Sequence, residues 1–449
     1  MPMLSDIPNR RQVWAWAFYD LANQSFQLLI NTLLFSIFLA DVVVGSGKGG
    51  GGGGADGTKA WTMMSAASLL IVVALSPFLG ALADQRQWKR ELLLGSGVVC
   101  AALTACLATL GQGDLALAAA LYVVAAVACG LGENFLASFL PQLSTPATVG
   151  RVSAFGWTMS YVGALVLLAI IAAWTMVMGR HQIDQARPLF VVAGVWFLIG
   201  ILPSFAWLRE RPVEVPHVPM RSVVGATAAR LWRTAHEASR FRQLARFLGI
   251  FFVYSMGTQS VIFFLGLLGK DMGFGLPQLI LFALVMALAA GAAALATSRF
   301  QDRLGHTRTI SLFLAVWIAG VGTLTVAQLT SLPPWLFWGV SGLLGIGLGG
   351  IGTSSRAIVG AFTPLDRAAE FFGLWGMVYK LSGVCGVLLF GVLSTLLKDA
   401  DGHTLAAPSR ALALGVLAAC FGAGLLLVRV CVNEREGIER ASGGSGRSA

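Results

Sequence analysis

Five side chains that can carry hydrogen bonds or charge, Asp20, Asn23, Gln24, Gln27 and Asn31, crowd the stretch FYDLANQSFQLLIN at positions 18–31, inside an otherwise apolar run. At about 100° per residue of an α-helix they fall within about 60° of one direction, a polar stripe about 16 Å long. Elsewhere, Glu133 and Asn134 interrupt GLGENFLASFLP, Ser255 and Gln259 share a face at i, i+4, and Arg356 ends a glycine-rich run. Lys380 sits roughly 15 Å deep in another apolar segment. A carboxylate in a low-dielectric span changes protonation as its surroundings change, so Asp20 and Glu133 are candidates for proton coupling. Lys380 suits pairing with a bound solute or a carboxylate; the alternative is a snorkelling lysine. Two blander readings stand beside these. Glu133 could hold a fixed ion pair with Arg151, and the amides of the stripe could simply tie helices together.

These residues need a membrane-length scaffold, and the composition supplies one. Of 449 residues, 56% are hydrophobic and 12% charged, with mean hydropathy +0.77, against about 25% charged in soluble domains. Bilayer-spanning backbone must satisfy its own hydrogen bonds, so helices of about 20 residues are expected. The pattern predicts an all-α polytopic protein with twelve spans, near 13–43, 60–83, 91–110, 115–140, 152–178, 188–208, 244–268, 276–298, 308–329, 334–355, 370–396 and 409–431. A bundle over 1–208, a cytoplasmic linker over 209–243, a second bundle over 244–432 and a disordered cytoplasmic tail over 433–449 follow.

Orientation comes from the basic residues, which stay on the cytoplasmic side. With the amino end inside, 23 of the 31 lysines and arginines fall on that side and 7 on the other, so both termini are expected in the cytoplasm of a cell membrane. The net charge of +10 is a product of this topology and calls for no nucleic-acid partner. The amino-terminal apolar run is about twice the length of a secretory signal core and reads as the first span.

Several features suggest chemistry that their context does not support. The Gly45–Gly57 stretch looks like a phosphate loop, but Lys48 is followed by Gly49 and no strand precedes it; a flexible external loop is expected. The linker ends as a basic amphipathic helix suited to anionic headgroups. Cys100, Cys106, Cys129, Cys385, Cys420 and Cys431 lie in or at the ends of apolar spans without a C-x-x-C pair, and read as small buried hydrophobes. His181, His217, His236, His306 and His403 lie in loops or the linker, and no H-E-x-x-H or G-x-S-x-G occurs, so neither a metal site nor an enzyme is expected. No nucleotide-binding motif or other cofactor site is apparent.

The linker divides the spans six and six. One offset of 218 residues relates Asp84 to Asp302, Arg90 to Arg308, Pro146 to Pro364, Trp157 to Trp375 and Tyr161 to Tyr379. A parallel repeat of six spans is the architecture of major facilitator transporters, and the Asp-and-basic loops GALADQRQWKR and SRFQDRLGHTR resemble the cytoplasmic loop motif of that superfamily. FYDLANQSF, RVSAFGWTMSYVGALVLL, WFLIGILPSF and above all GGIGTSSRAIVGAFTPLDRAAEFFGLWGMVYKLSGVCGVLLFG resemble the autophagy-linked vacuolar effluxer family and its bacterial relatives. The chain departs from that family's pattern at Met256, Ser260, Gly352 and Val387.

The resemblance implies a 6+6 pseudo-repeat of the major facilitator fold, with the first, fourth, seventh and tenth spans lining a central cavity. It makes Asp20, Asn23, Gln24, Gln27, Asn31, Glu133, Asn134, Gln259 and Lys380 substrate or cavity candidates. Asp84, Arg90, Asp302, Arg308 and Arg356 become a cytoplasmic latch, made in one state and parted in another. The expected function is secondary active transport, as an exporter of a small polar or amphipathic solute such as an amino acid. A lipid or drug carrier on the same fold is the alternative, and a polytopic membrane enzyme a more distant one. Expected partners are a small-molecule substrate and membrane lipids, with the chain acting as a monomer.

Overall fold

A computed structural model describes residues 9–45, 53–144, 149–179, 182–210, 241–330, 334–363, 368–398 and 404–443. Among them, twelve helices are long and apolar enough to cross a bilayer. They are α1 (Arg10–Val43), α2 (Gly53–Arg86), α3 (Lys89–Cys106), α4 (Leu115–Ser138), α5 (Val149–Val177) and α6 (Arg187–Trp207), then α7 (Arg242–Asp271), α8 (Leu276–Leu304), α9 (His306–Leu329), α10 (Pro334–Ala361), α11 (Ala368–Leu393) and α12 (Ala406–Cys431). A thirteenth, α13 (Glu434–Gly443), is short and polar. The protein is an all-α, multi-pass membrane protein; exposed apolar side chains such as Ile199, Leu295 and Leu426 suit contact with lipid.

The chain packs as two compact units. One comprises Met1–Thr227 with Phe263–Leu284, the other Ala228–Ile262 with Val285–Ala449, so α7 contributes to both. In the first unit α1 lies between α5 and α6, and α3 packs on α4 and α6. Close approach is possible because side chains are missing where backbones meet. A Cβ on Gly163 of α5 would stand 2.5 Å from the Leu21 carbonyl oxygen, the small-residue packing that spans use in place of a hydrophobic drive. The last part of α7 is held in the same unit by a bond from Trp61 Nε1 to the Phe263 carbonyl at 2.8 Å and by the Lys270–Asp41 ion pair. In the second unit α9 packs on α10 and α12, repeating the place of α3 in the first.

The 218-residue repeat is visible in the backbone and in the rings. Gln87 before α3 and Gly305 before α9 stand at that offset, and both have positive φ, 57° and 88°. Trp157 and Tyr161 on α5 form a ring pair 6.1 Å apart, matched by Trp375 and Tyr379 on α11 at 6.3 Å. Each unit also closes the start of α3 or α9 with an acid from beyond its last span. Glu210 accepts a bond from the Arg90 backbone N–H at 3.4 Å. Glu434 accepts from the N–H groups of His306 and Thr307 at 2.9 and 3.0 Å. Carboxylates are favoured at helix amino ends, where unpaired N–H groups and the dipole are positive.

Three expectations are corrected. Residues Glu434–Gly443 are helical rather than disordered. Glu434 is bound to α9, Gln243 bonds Glu436 at 2.5 Å and Arg440 pairs with Glu436 at 2.9 Å, contacts that local composition does not register. The stretch from Gly53 to Gly57 belongs to α2 rather than to a loop; Gly57 lies against Ala40, where a Cβ would come within 2.6 Å. Cys106 is exposed, although all six cysteines are free thiols. The expected amphipathic helix of the linker lies outside the described residues.

Candidate functional site

Within α1 the winding changes at the polar stripe. Residues Ser25–Leu34 and Leu39–Val43 form π-helix, with i to i−5 bonds from the Phe35 N–H to the Ile30 carbonyl and from the Val44 N–H to the Leu39 carbonyl. The Thr32 hydroxyl adds a bond to the Gln27 carbonyl, again five residues back, at 2.8 Å. A π-helix turns less per residue than an α-helix and is concentrated at functional sites.

The five polar residues divide into two sets. Asp20 and Gln24 face α5: Gln24 Nε2 donates to Ser160 Oγ at 2.5 Å, and Asp20 Oδ2 lies beside Gly156, where a Cβ would be 3.4 Å away. Asn23, Gln27 and Asn31 face α4. Asn31 sits on this side because the π turns before it lag behind α-helical phase.

On α4, Tyr122, Cys129 and Glu133 occupy one face and join the second set. Asn23 Nδ2 and Gln27 Nε2 both donate to Glu133 Oε1, at 2.9 and 2.8 Å. Behind them, Cys129 Sγ–H donates to Asn23 Oδ1 at 2.9 Å, Asn31 Nδ2 to Gln27 Oε1 at 3.4 Å, and the Tyr122 hydroxyl to Asn31 Oδ1 at 2.5 Å. Two branches of donors thus converge on one carboxylate oxygen. Donors aligned in series polarise one another, and the arrangement offers a route by which a change at Glu133 reaches Tyr122. Tyr122 and Cys129 were absent from the sequence-derived set, although their spacing of eleven and four residues before Glu133 puts them on its face. Asn134 turns away from this network, donating to Ser76 Oγ on α2 at 2.6 Å.

In the second unit, Ser255 and Gln259 are buried on α7. Tyr254 shares a 2.7 Å hydroxyl bond with Ser355 of α10. Arg356 lies over the Trp375 ring, 5.7 Å from its centroid, and Lys380 is half-buried one turn beyond Gly376.

The proposed latch residues have different settings. Arg90 is bound within its own unit, donating to the carbonyls of Leu208 and Phe205 at 2.7 Å each, and so caps the end of α6. Arg308 is exposed. Asp84 and Asp302 stand on α2 and α8, and their side chains, like that of Arg151, lie outside the described residues. Among the described residues no group of histidines, cysteines and acids could hold a metal ion.

Comparison with known proteins agrees with this architecture. The family described as "Vacuole effluxer Atg22 like" matches residues 8–402. An uncharacterized MFS-type transporter, YxiO of Bacillus subtilis, is 24% identical over 396 residues, covering 86% of this chain and 89% of that protein. Autophagy-related protein 22-2 of Aspergillus clavatus is 26% identical over 264 residues, 54% of this chain and 43% of the fungal one. Among solved structures, a D-xylose-proton symporter superposes with TM-score 0.68 at 13% identity over 95% of this chain and 98% of that one. The xylose transporter XylE of E. coli in an inward-open conformation gives 0.66 at 12% identity, over 94% and 96%. The chain therefore belongs to the Atg22-like vacuole effluxer family, and is a major-facilitator-type membrane transporter rather than an enzyme.

Proposed function

We propose that the protein is a secondary active exporter of a small polar or amphipathic solute, with amino acids the first class to test. It works as a monomer in a cell membrane, both termini on the cytoplasmic side and no nucleic acid involved. The observation that carries this reading is the convergence of donors on Glu133, which lies in a span. A carboxylate inside a span costs on the order of 2.5–3.5 kcal/mol by insertion scales, and such groups mark solute or proton pathways. Glu133 exchanges a proton as access alternates, and the Asn23–Gln27 amides reset when its charge changes. Asp20, Gln24, Gln259 and Lys380 contribute contacts to the solute, while Asp84, Asp302, Arg308 and Arg356 make and part cytoplasmic contacts between states. The polar character of the α1–α4 network favours a polar solute over a lipid.

The test is transport by the purified chain in liposomes, using amino acids, short peptides and organic acids. Asp20→Asn and Lys380→Ala are expected to lower the rate at least about tenfold, a change of about 1.4 kcal/mol in barrier, while the protein still unfolds cooperatively. An imposed proton gradient is expected to change accumulation in the parent and not in Glu133→Gln. Unchanged rates in both binding variants would remove the site assignment, and indifference of the parent to the gradient would replace coupling with facilitated diffusion.

A further inference from the structure

Where α12 ends, the second unit holds a recess of about 530 Å³, walled by Gln243 and Arg246 of α7 and by the stretch from Val430 to Glu436 that turns from α12 into α13. Its walls are fixed by bonds that are already complete. Gln243 is buried, and its amide is used at both ends, Nε2 donating to Glu436 at 2.5 Å and Oε1 accepting from the Asn433 N–H at 3.0 Å. Gly437 lets α13 lie against the ring of Phe362, just after α10, where a Cβ would come within 2.4 Å.

The acids and the arginines of the recess are in opposite positions. Both oxygens of Glu434 are taken by the His306 and Thr307 N–H groups and the Thr307 hydroxyl. Those of Glu436 are taken by Gln243 and Arg440. Arg246 and Arg435 are exposed. Arg246 donates a long bond to the Cys431 carbonyl at 3.4 Å, and among the described residues no acid pairs with either arginine.

One side of the recess continues into an apolar surface. Val430, in its wall, is 81% exposed, and Leu426 one turn earlier is 65% exposed. Arg429, also exposed, shares their face at i+3. The helices on either side are both membrane-length, and the recess lies at the first turns of α7 and the last turn of α12. That is headgroup depth, where long basic side chains reach the interface. An apolar strip that ends in guanidinium groups at this depth has the layout of a phospholipid, whereas a free anion would make no use of the strip.

We propose that the recess binds an anionic phospholipid, in the leaflet on the side of the carboxyl terminus. Arg246 and Arg435 hold the headgroup phosphate, since planar guanidinium groups suit paired bonds to phosphate oxygens. The acyl chains run along Leu426 and Val430, and Arg429 adds its charge at the rim. Basic pockets between span ends collect such headgroups. Bound there, the lipid bridges the start of α7 and the turn between α12 and α13. The site is independent of which solute the protein carries, and its test needs no transport.

The full chain in neutral detergent is titrated with dioleoylphosphatidylglycerol, dioleoylphosphatidylcholine or glycerol phosphate. Native mass spectrometry counts bound lipid, and peptide mass follows alkylation of Cys431, a half-buried free thiol in the wall of the recess. Phosphatidylglycerol is expected to bind at least about tenfold more tightly than phosphatidylcholine and to slow alkylation of Cys431. One basic residue near a headgroup changes affinity about fivefold. Arg246→Gln with Arg435→Gln is therefore expected to weaken phosphatidylglycerol about twenty- to thirtyfold and to abolish the protection. Arg11→Gln with Arg303→Gln removes the same charge from exposed arginines outside the recess and is expected to leave both readouts unchanged. Thermal unfolding shows whether each variant is folded, and the parent titrations decide where one is not.

Equal affinity of the parent for the two lipids, or alkylation of Cys431 that phosphatidylglycerol does not slow, overturns the proposal. An equal loss in the two variant pairs also overturns it, because general charge attraction would then suffice. Protection of Cys431 by glycerol phosphate at the same concentration would make the recess a soluble-anion site and overturn the lipid assignment.

Discussion

Glu133 receives donors from two directions, and its two amide partners are themselves held by donors behind them. Removing one of those partners should cost more than changing the acid. Asn23→Ala leaves the Cys129 thiol without its acceptor and Glu133 with one donor fewer, and is expected to destabilise the folded protein by about 1–3 kcal/mol. Glu133→Gln keeps a carbonyl oxygen for both amides and should cost less than that. Thermal unfolding of the two variants in detergent checks the order. The acid and amides of this network were legible in the sequence, because such groups in an apolar run have few other uses; Tyr122 and Cys129 were not, since either type is ordinary in a span. The separation of Asp20 and Gln24 from Asn23 follows α-helical phase, but the place of Asn31 on the α4 side depends on π winding from Ser25 onward, and neither Ser25 nor its neighbours carry a local signature of an i to i−5 ladder.

Helix boundaries were legible to within a few residues where apolar runs end in turn signals, as at GKDMGFGLP before α8. They failed where a distant contact decides. Gly57 lies within α2 where Ala40 approaches too closely for any Cβ, and α13 is bonded to α7 and α9. Contact-dependent glycines give a direct test: Gly163→Ala places a Cβ within 2.5 Å of the Leu21 carbonyl, and is expected to lower stability by about 1–3 kcal/mol, the usual cost of overpacking. The same substitution at Gly415 of α12, where a Cβ would meet nothing within 4 Å, should be neutral or stabilising by up to about 1 kcal/mol, by the same unfolding measurement.

The caps add a pH dependence. Desolvation works to raise the Glu434 carboxyl, but the bonds from Thr307 and His306 outweigh it and hold it below its ordinary 4.5. Its stabilisation is therefore present above about pH 4.5 and lost as pH falls through the lowered value. Glu434→Gln is expected to melt earlier than the parent at pH 7, with the gap closing below pH 4.5. Glu210 runs the other way, its carboxyl raised chiefly by burial, so the difference between parent and variant, rather than the parent curve alone, is the readout.

At the scale of the whole molecule the basic residues carry the information. Their 23 to 7 partition predicts that single cysteines placed near either terminus are modified by an impermeant reagent only after the inner face is opened; modification in sealed right-side-out cells would reverse the orientation. The fold itself was readable from hydropathy and the 218-residue offset, and the ring pairs and positive-φ turns at that offset carry the repeat down to atoms.

The paired caps also bear on how the chain is made. Arg90 waits 120 residues for Glu210, and Thr307 waits 127 for Glu434. At ordinary synthesis speeds each interval is on the order of ten seconds, during which the start of α3 or α9 stays unclosed. Each cap is supplied by a residue just beyond the sixth span of its half. A ribosome that stalls or terminates just before Glu434 would release a protein with all twelve spans in place and its second half unfastened, a form that quality-control proteases could distinguish from the finished chain.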